Sequence, residues 1–286
     1  MLKIAVFPNF QKKNAVSCAK TVCDILKGNA ELYIDRSYKS EFKDKEWVNF
    51  GYFSELAEHM DIIMAIGGDG TILRCARYIK GYNAMLLGIN TGTLGFMASL
   101  EMNQLCDLKK LVNSEYIVRQ RMMLDVQTVD ENNNVIYSSS ALNDVIISKP
   151  FSKIFDFDVF ADSCKIGSYR ADGVVFSTPT GSTAYALSAG GPVIEPDLEC
   201  IEMNLVCPHS LFARPVVFSK NRVLRVMHKT DMEDIYISVD GNEPVMLKKN
   251  ETVVIKESAY RIKLIDMHDN TFFSSLNTKL VKSIKK

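Results

Sequence analysis

Histidine is scarce in this chain of 286 residues, which has four, and none is spaced with another as a pair of metal ligands would be. The seven cysteines (Cys18, Cys23, Cys75, Cys106, Cys164, Cys200 and Cys207) are odd in number and contain no C-x-x-C pair. That speaks against a disulfide framework or a zinc site, and leaves reduced, buried thiols in a reducing compartment. Net charge is also missing, since 34 Lys and Arg balance 34 Asp and Glu. A protein that coats nucleic acid or an anionic membrane needs a large uncompensated basic surface, so neither partner is expected. A site for a polyphosphorylated small molecule survives, because it needs only a few cations and backbone N–H groups. No apolar run reaches bilayer-spanning length, and MLKIAVFPNF at the start lacks the apolar run of a signal peptide. The expected location is cytoplasmic. What is present is a globular composition, 47% apolar and 24% charged, in a chain long enough for two cores.

The two parts of the chain differ in rhythm. LKIAVF (2–7), a helix at 14–27, ELYIDR (31–36), a polar helical stretch around 40–59, DIIMAI (61–66), a helix at 71–80 and AMLLGI (84–89) alternate strand with helix. Such alternation predicts parallel pairing through crossovers, a Rossmann-like open α/β sheet. After one more helix at 103–113 the pattern shifts to short runs of period two: MLDVQTV (123–129), VIYSSSALNDVIIS (135–148), FDFDVFA (155–161), VLRVMH (223–228), IYISVD (235–240) and TVVIKES (252–258). Turn signals such as ENNN and DGNEP separate them, which predicts an all-β domain, an antiparallel sandwich. The expected division is an α/β domain over 1–101, rejoined by a C-terminal segment 262–286 that looks helical, and a β-rich domain over 102–261. A ligand cleft is expected where domains adjoin.

Gly67-Gly68-Asp69-Gly70 ends the run DIIMAI and precedes a helix whose inner face is Ile72, Leu73, Ala76 and Ile79. Glycines let a phosphate or ribose approach the backbone, and the helix behind supplies free N–H groups and a positive dipole end. The loop is neither G-x-x-x-x-G-K-[ST] nor G-x-G-x-x-G. Its carboxylate would be costly beside a phosphate unless it binds a cation or accepts a proton from an attacking hydroxyl, needs that both arise in phosphoryl transfer. The bland alternative is a strand-to-helix turn in which Asp69 caps the helix through its side chain. A second unusual segment, ADGVVFSTPTGSTAYALSAGGPVIEP (171–196), crowds hydroxyls among turn formers, a density suited to a ligand rich in acceptors, such as a ribose.

The run of GGDGT, GINTGTLGF (88–96), LNDVIIS (142–148) and ADG…TPTGSTAY…SAGGP resembles, in order and spacing, the NAD kinase family, with the similarity strongest over about 60–220. Phosphofructokinases and diacylglycerol-type lipid kinases carry a turn similar to GGDG. TPTGSTAY at this distance is the more diagnostic part. The resemblance implies phosphorylation of the adenosine 2′-hydroxyl of NAD by ATP, or by another donor such as polyphosphate, with Mg²⁺ accompanying ATP. Asp69 would be the general base and Gly70 would let the backbone approach the ligand. Asn143 would bind NAD, beside Asp144, which stands where the family more often has Glu. Asp172 would contact the nicotinamide portion, sometimes across a subunit interface, and the resemblance also implies a homodimer or homotetramer. Thr183, Ala184, Tyr185 and Ser188 would line the adenosine pocket, with Phe96 walling it or simply packing in the core. Arg74, Lys153, Arg170 and Asn242 are further candidate NAD contacts, with Arg74 placed to meet phosphates of either nucleotide; for each the alternative is a solvated charge or turn residue. Rival readings are a lipid or sugar-phosphate kinase and a catalytically silent dinucleotide sensor.

Overall fold

A computed structural model describes residues 1–92, 95–150, 153–210, 213–228, 234–269 and 271–283; Thr93 and Leu94 of the GTLGF segment lie outside them. The chain divides into two compact units, Met1–Gln120 with Ile262–Lys286, and Arg121–Arg261.

The first unit is wound on a parallel sheet. Its strands are β1 (Leu2–Pro8), β2 (Ala30–Asp35), β3 (Val48–Gly51), β4 (Ile62–Gly67), β5 (Met85–Asn90) and the two-residue β6 (Leu100–Glu101). Its helices are α1 (Lys13–Leu26), α2 (Phe53–Leu56), α3 (Asp69–Ile79) and α4 (Leu108–Val112). The strands lie in the order β3-β2-β1-β4-β5, all parallel. Helix α1 buries Ala15, Cys18, Ala19, Val22, Cys23 and Leu26 against Ile4, Leu32, Ile62 and Met64, and Leu108 and Leu111 of α4 join the same core. Helix α3 turns Ile72, Cys75, Ala76 and Ile79 inward, and Ile72 lies against Gly88 of β5. The stretch around 40–59, expected to be helical, is instead a 3₁₀ turn (Arg36–Phe42), β3, and the single turn α2. A four-residue edge strand paired on one side is too short to display a period. The helix expected at 103–113 begins as a 3₁₀ segment (Met102–Asp107) before α4.

The second unit is antiparallel β. It comprises β7 (Ile117–Val129, whose first residues belong to the first unit), β8 (Val135–Ala141), β9 (Asp144–Ser148), β10 (Phe155–Ala161), β11 (Cys164–Ala171), β12 (Gly173–Ser177), β13 (Cys200–Val206), β14 (Val216–Ser219), β15 (Leu224–His228), β16 (Ile235–Val239), β17 (Val245–Leu247) and the long β18 (Thr252–Asp266). One sheet runs β14-β13-β12-β9-β16-β17; the facing one runs β11-β10-β15-β18-β7-β8. Alternate residues fill the space between them, among them Leu124, Val126, Ile147, Phe157, Phe176, Val226 and Ile237, as a two-layer sandwich requires. The run 135–148 is two strands, because the chain leaves one sheet at Ala141 and enters the other at Asp144. The end of β18 pairs in parallel with β5 at Lys263↔Met85, and α6 (Thr271–Ser283) follows it. Among the described residues no helix is long and apolar enough to cross a membrane, which does not bear on spanning by strands.

Candidate active site

In the first unit Asp69 is the opening residue of α3, with Gly68 as its cap and no side-chain capping bond. The capping alternative is therefore replaced by another arrangement. The Asp69 carboxylate leaves its own helix and accepts the N–H groups of Phe96 (2.9 Å) and Met97 (3.3 Å). A Cβ on Gly95 would overlap that carboxylate, so the last glycine of GTLGF is the residue that lets the loop close on the acid. Each oxygen takes one N–H and keeps lone-pair capacity for another donor. At Gly70 a Cβ would meet nothing within 4 Å, so its bare backbone faces open space. Phe96 is half-buried, its ring 6.4 Å from that of Phe272, outside the main core cluster.

The strand order supplies a second feature. From β1 the chain winds outward to β2 and β3, then returns to the other side of β1 for β4. The reversal opens a crevice at the carboxyl ends of β1 and β4, the place where open α/β sheets bind ligands. A cavity of about 300 Å³ lies there, lined by Asn9, Gln11, Lys12, Tyr38, Gly70 and Arg74 among others. Arg74 is exposed, its guanidinium 5.0 Å from the centroid of the Phe7 ring. Lys12, at the cap of α1, and Asn9 carried no motif that sequence reading could use. Only the pairing of β1 with β4 brings them to Gly68–Arg74.

In the second unit two of the recognised segments interlock. Thr178 accepts Gly181 N–H on its hydroxyl (3.1 Å) and gives that hydroxyl to the Leu142 carbonyl (2.6 Å), while its own N–H goes to Asn143 O (2.9 Å). Gly181 lies so close that a Cβ would overlap the backbone of Asn143. TPTG and LND are therefore one structure, and the glycine is needed for close approach rather than for an unusual φ. Ser182 is buried and bonded to Pro179 O and Ile194 N. Beyond it a 3₁₀ turn (Thr180–Thr183) leads into the single turn α5 (Tyr185–Ser188), with Tyr185 and Ser188 exposed and Thr183 and Ala184 half-buried.

Asn143 and Asp144 are buried beneath this segment. The Asn143 side-chain oxygen finds no hydrogen-bond partner among the described residues, an arrangement that costs about 1–3 kcal/mol if nothing fills it. Asp144 receives the Tyr185 N–H, yet burial and the neighbouring Asp240 charge push its pKa up to about 7. Asn242, in the turn after β16, donates its side-chain amide to Val239 O (2.6 Å). These residues gather at one end of the β9–β12 ladder, where Ser177 pairs with Asp144. Lys153, Arg170 and Asp172 do not join them. Asp172 stands at the far end, where Gly173 pairs with Ser148, four strand positions or ~13 Å away. Arg170 and Lys153 are exposed on the adjoining β11 and at the approach to β10.

An acid-bearing glycine turn on a doubly wound sheet, and a hydroxyl-rich segment over buried amide and carboxyl groups on a β sandwich, define a nucleotide-handling phosphotransferase. The family description "ATP-NAD kinase N-terminal domain" matches residues 4–116 and "ATP-NAD kinase C-terminal domain" matches 142–267. The NAD kinase of Thermoanaerobacter sp. (strain X514) is 34% identical over 285 residues, spanning 99% of this chain and 100% of that protein. Among solved structures, an NAD kinase from Archaeoglobus fulgidus in complex with ATP has a TM-score of 0.73 at 26% identity, covering 98% of each chain. Yeast NADH kinase complexed with NADH reaches 0.89 at 21%, covering 97% of this chain and 86% of that one, a likeness of fold. The chain belongs to the NAD kinase family and is an enzyme of that type.

Proposed function

We propose that this enzyme phosphorylates the adenosine 2′-hydroxyl of NAD from ATP, with Asp69 as the general base for that hydroxyl and residues 183–188 as adenosine contacts. The observation that carries this is the state of Asp69, oriented by two backbone N–H groups and left with lone pairs for a donor. As the 2′-oxygen forms its bond to the γ-phosphorus, the bond from phosphorus to the ADP oxygen breaks and the hydroxyl proton passes to Asp69. The product is NADP. In a loose transition state alignment of the hydroxyl matters most, and the base adds a further factor.

The crevice between β1 and β4 is assigned to the donor, with the α3 N-terminus, Lys12 and Arg74 facing its phosphates. Among the described residues no three His, Cys, Asp or Glu side chains converge as a metal site. Mg²⁺ comes with ATP as part of the donor substrate, where it neutralises phosphate charge. Asn143 and Asp144 hold ribose and amide groups of NAD. Asp172, remote from that cluster along its own ladder, acts in a homo-oligomer on the nicotinamide end of a ligand bound by another subunit. Cytoplasmic location goes with this reading.

An assay with NAD, ATP and Mg²⁺, reading NADP through an NADP-specific dehydrogenase, tests it. NADP should form with ATP, and replacing ATP by polyphosphate tells which donor the crevice accepts. Lys12→Ala and Arg74→Ala should each raise KM for the donor about tenfold, the size expected of one lost charge-assisted contact, with KM for NAD less affected. Unchanged donor KM in both would remove the donor from that crevice.

A further inference from the structure

Asp240 lies outside every ligand role considered so far, yet its side chain does unusual work. It sits in the left-handed region (φ 50°), followed by Gly241 (φ 67°), at the tight turn between β16 and β17. Two consecutive positive φ values are those of a type I′ hairpin turn. From there its carboxylate reaches the β8–β9 connection and accepts three consecutive N–H groups, those of Leu142 (2.8 Å), Asn143 (2.8 Å) and Asp144 (3.1 Å). Its own N–H returns to Asp144 O (2.9 Å). On the opposite side Thr178 takes the carbonyls of Leu142 and Asn143. The Leu142–Asp144 segment is thus clamped by the Asp240 turn, through its three N–H groups and the Asp144 carbonyl, and by Thr178 through the Leu142 and Asn143 carbonyls.

We propose that Asp240 is a positioning residue, one that touches no substrate but aims Asn143 and Asp144 at NAD and sets the charge that Asp144 presents to it. The inference rests on the NAD reading of those two residues. Three N–H groups on one carboxylate fix the turn more firmly than ladder bonds alone, and charge-assisted bonds of this kind are about twice as strong as neutral ones. The side chain carried by that backbone ends in the Asn143 oxygen that has no partner among the described residues.

The second effect is electrostatic. Asp144 faces Asp240 from the β16 turn and the Tyr185 N–H from α5. Its β12 partner Ser177 is uncharged, and Glu202 stands one strand further, paired with Ser177 on β13. Ribose hydroxyls donate more strongly to a carboxylate than to a carboxylic acid, which also turns one oxygen into a donor, so NAD affinity should fall as pH drops through the Asp144 titration near 7. Removing the Asp240 charge should move that fall to lower pH.

The test measures KM and kcat for NAD across pH 5.5–8.5 in wild type, Asp240→Asn, Asp240→Glu and Asn143→Ala. Asparagine tolerates positive φ, keeps the shape and loses the charge and one acceptor oxygen. In Asp240→Asn KM for NAD should rise about tenfold, with kcat and KM for ATP little changed and the acid limb of NAD affinity at lower pH. Should that variant fail to fold, Asp240→Glu, with the charge kept but displaced, should weaken NAD binding and leave the acid limb in place. A folded Asp240→Asn, or failing it Asp240→Glu, with wild-type NAD affinity overturns the inference. So does a general loss of kcat and both KM values with an unmoved pH limb in Asp240→Asn, the mark of a merely structural role. Asn143→Ala separates the two levels. If it raises KM for NAD while the Asp240 variants do not, only the positioning role fails; if it has no effect, the NAD reading fails and takes the positioning role with it.

Discussion

Asp144 is buried with its nearest charged neighbour of the same sign, and the price of that arrangement is legible in pH. A raised carboxyl pKa means that the folded state binds the proton more tightly than the unfolded chain, whose value is about 3.9. The stabilising contribution of this group is fully present below about pH 4 and is lost as pH rises through its folded value near 7. Asp144→Asn removes the slope. In ligand-free protein the variant should melt higher than wild type at pH 8, with the gap closing at pH 5; a gap independent of pH would contradict the burial of an ionisable Asp144. The LND motif marks this residue in the sequence. Its electrostatic setting was not legible, because Asp240 lies 96 positions away in sequence and the DG turn announces only a hairpin. The same holds at Asp69: GGDG and GTLGF were each visible, but not that the backbone of the second holds the carboxylate of the first.

At the scale of elements, the apolar runs of the first unit located β1, β2, β4, β5, α1 and α3, because each buries a face with a full period. The failures have a common physical origin in short or switching segments. Strand β3 has four residues, and the run 135–148 has one continuous period-two texture although the chain changes sheets within it. That change of sheet is where Asn143 and Asp144 sit, so the least readable boundary carries candidate ligand groups. Hydroxyls mark the TPTG segment in the sequence, whereas its glycine proves to be an interlock with Asn143. Gly181→Ala should therefore cost about 1–3 kcal/mol or more through overpacking, seen as a lower thermal midpoint, and should weaken NAD binding more than ATP binding. A Gly181→Ala protein with wild-type stability and NAD affinity would show that the two segments need not touch.

For the molecule as a whole, fold class followed from a change of rhythm, and family from four motifs in order. The crevice at the carboxyl ends of β1 and β4 did not, since a reversal of strand order exists only once the strands have paired, and neither Asn9 nor Lys12 signals it. Function in this account converges on one carboxylate held ready for a ribose hydroxyl. The most direct test measures, on Asp69→Asn, the NAD dissociation constant by calorimetry and the single-turnover rate of phosphoryl transfer from ATP. NAD affinity should stay within a few-fold of wild type while the transfer rate falls by about 10²–10⁴. A transfer rate near that of wild type would contradict it.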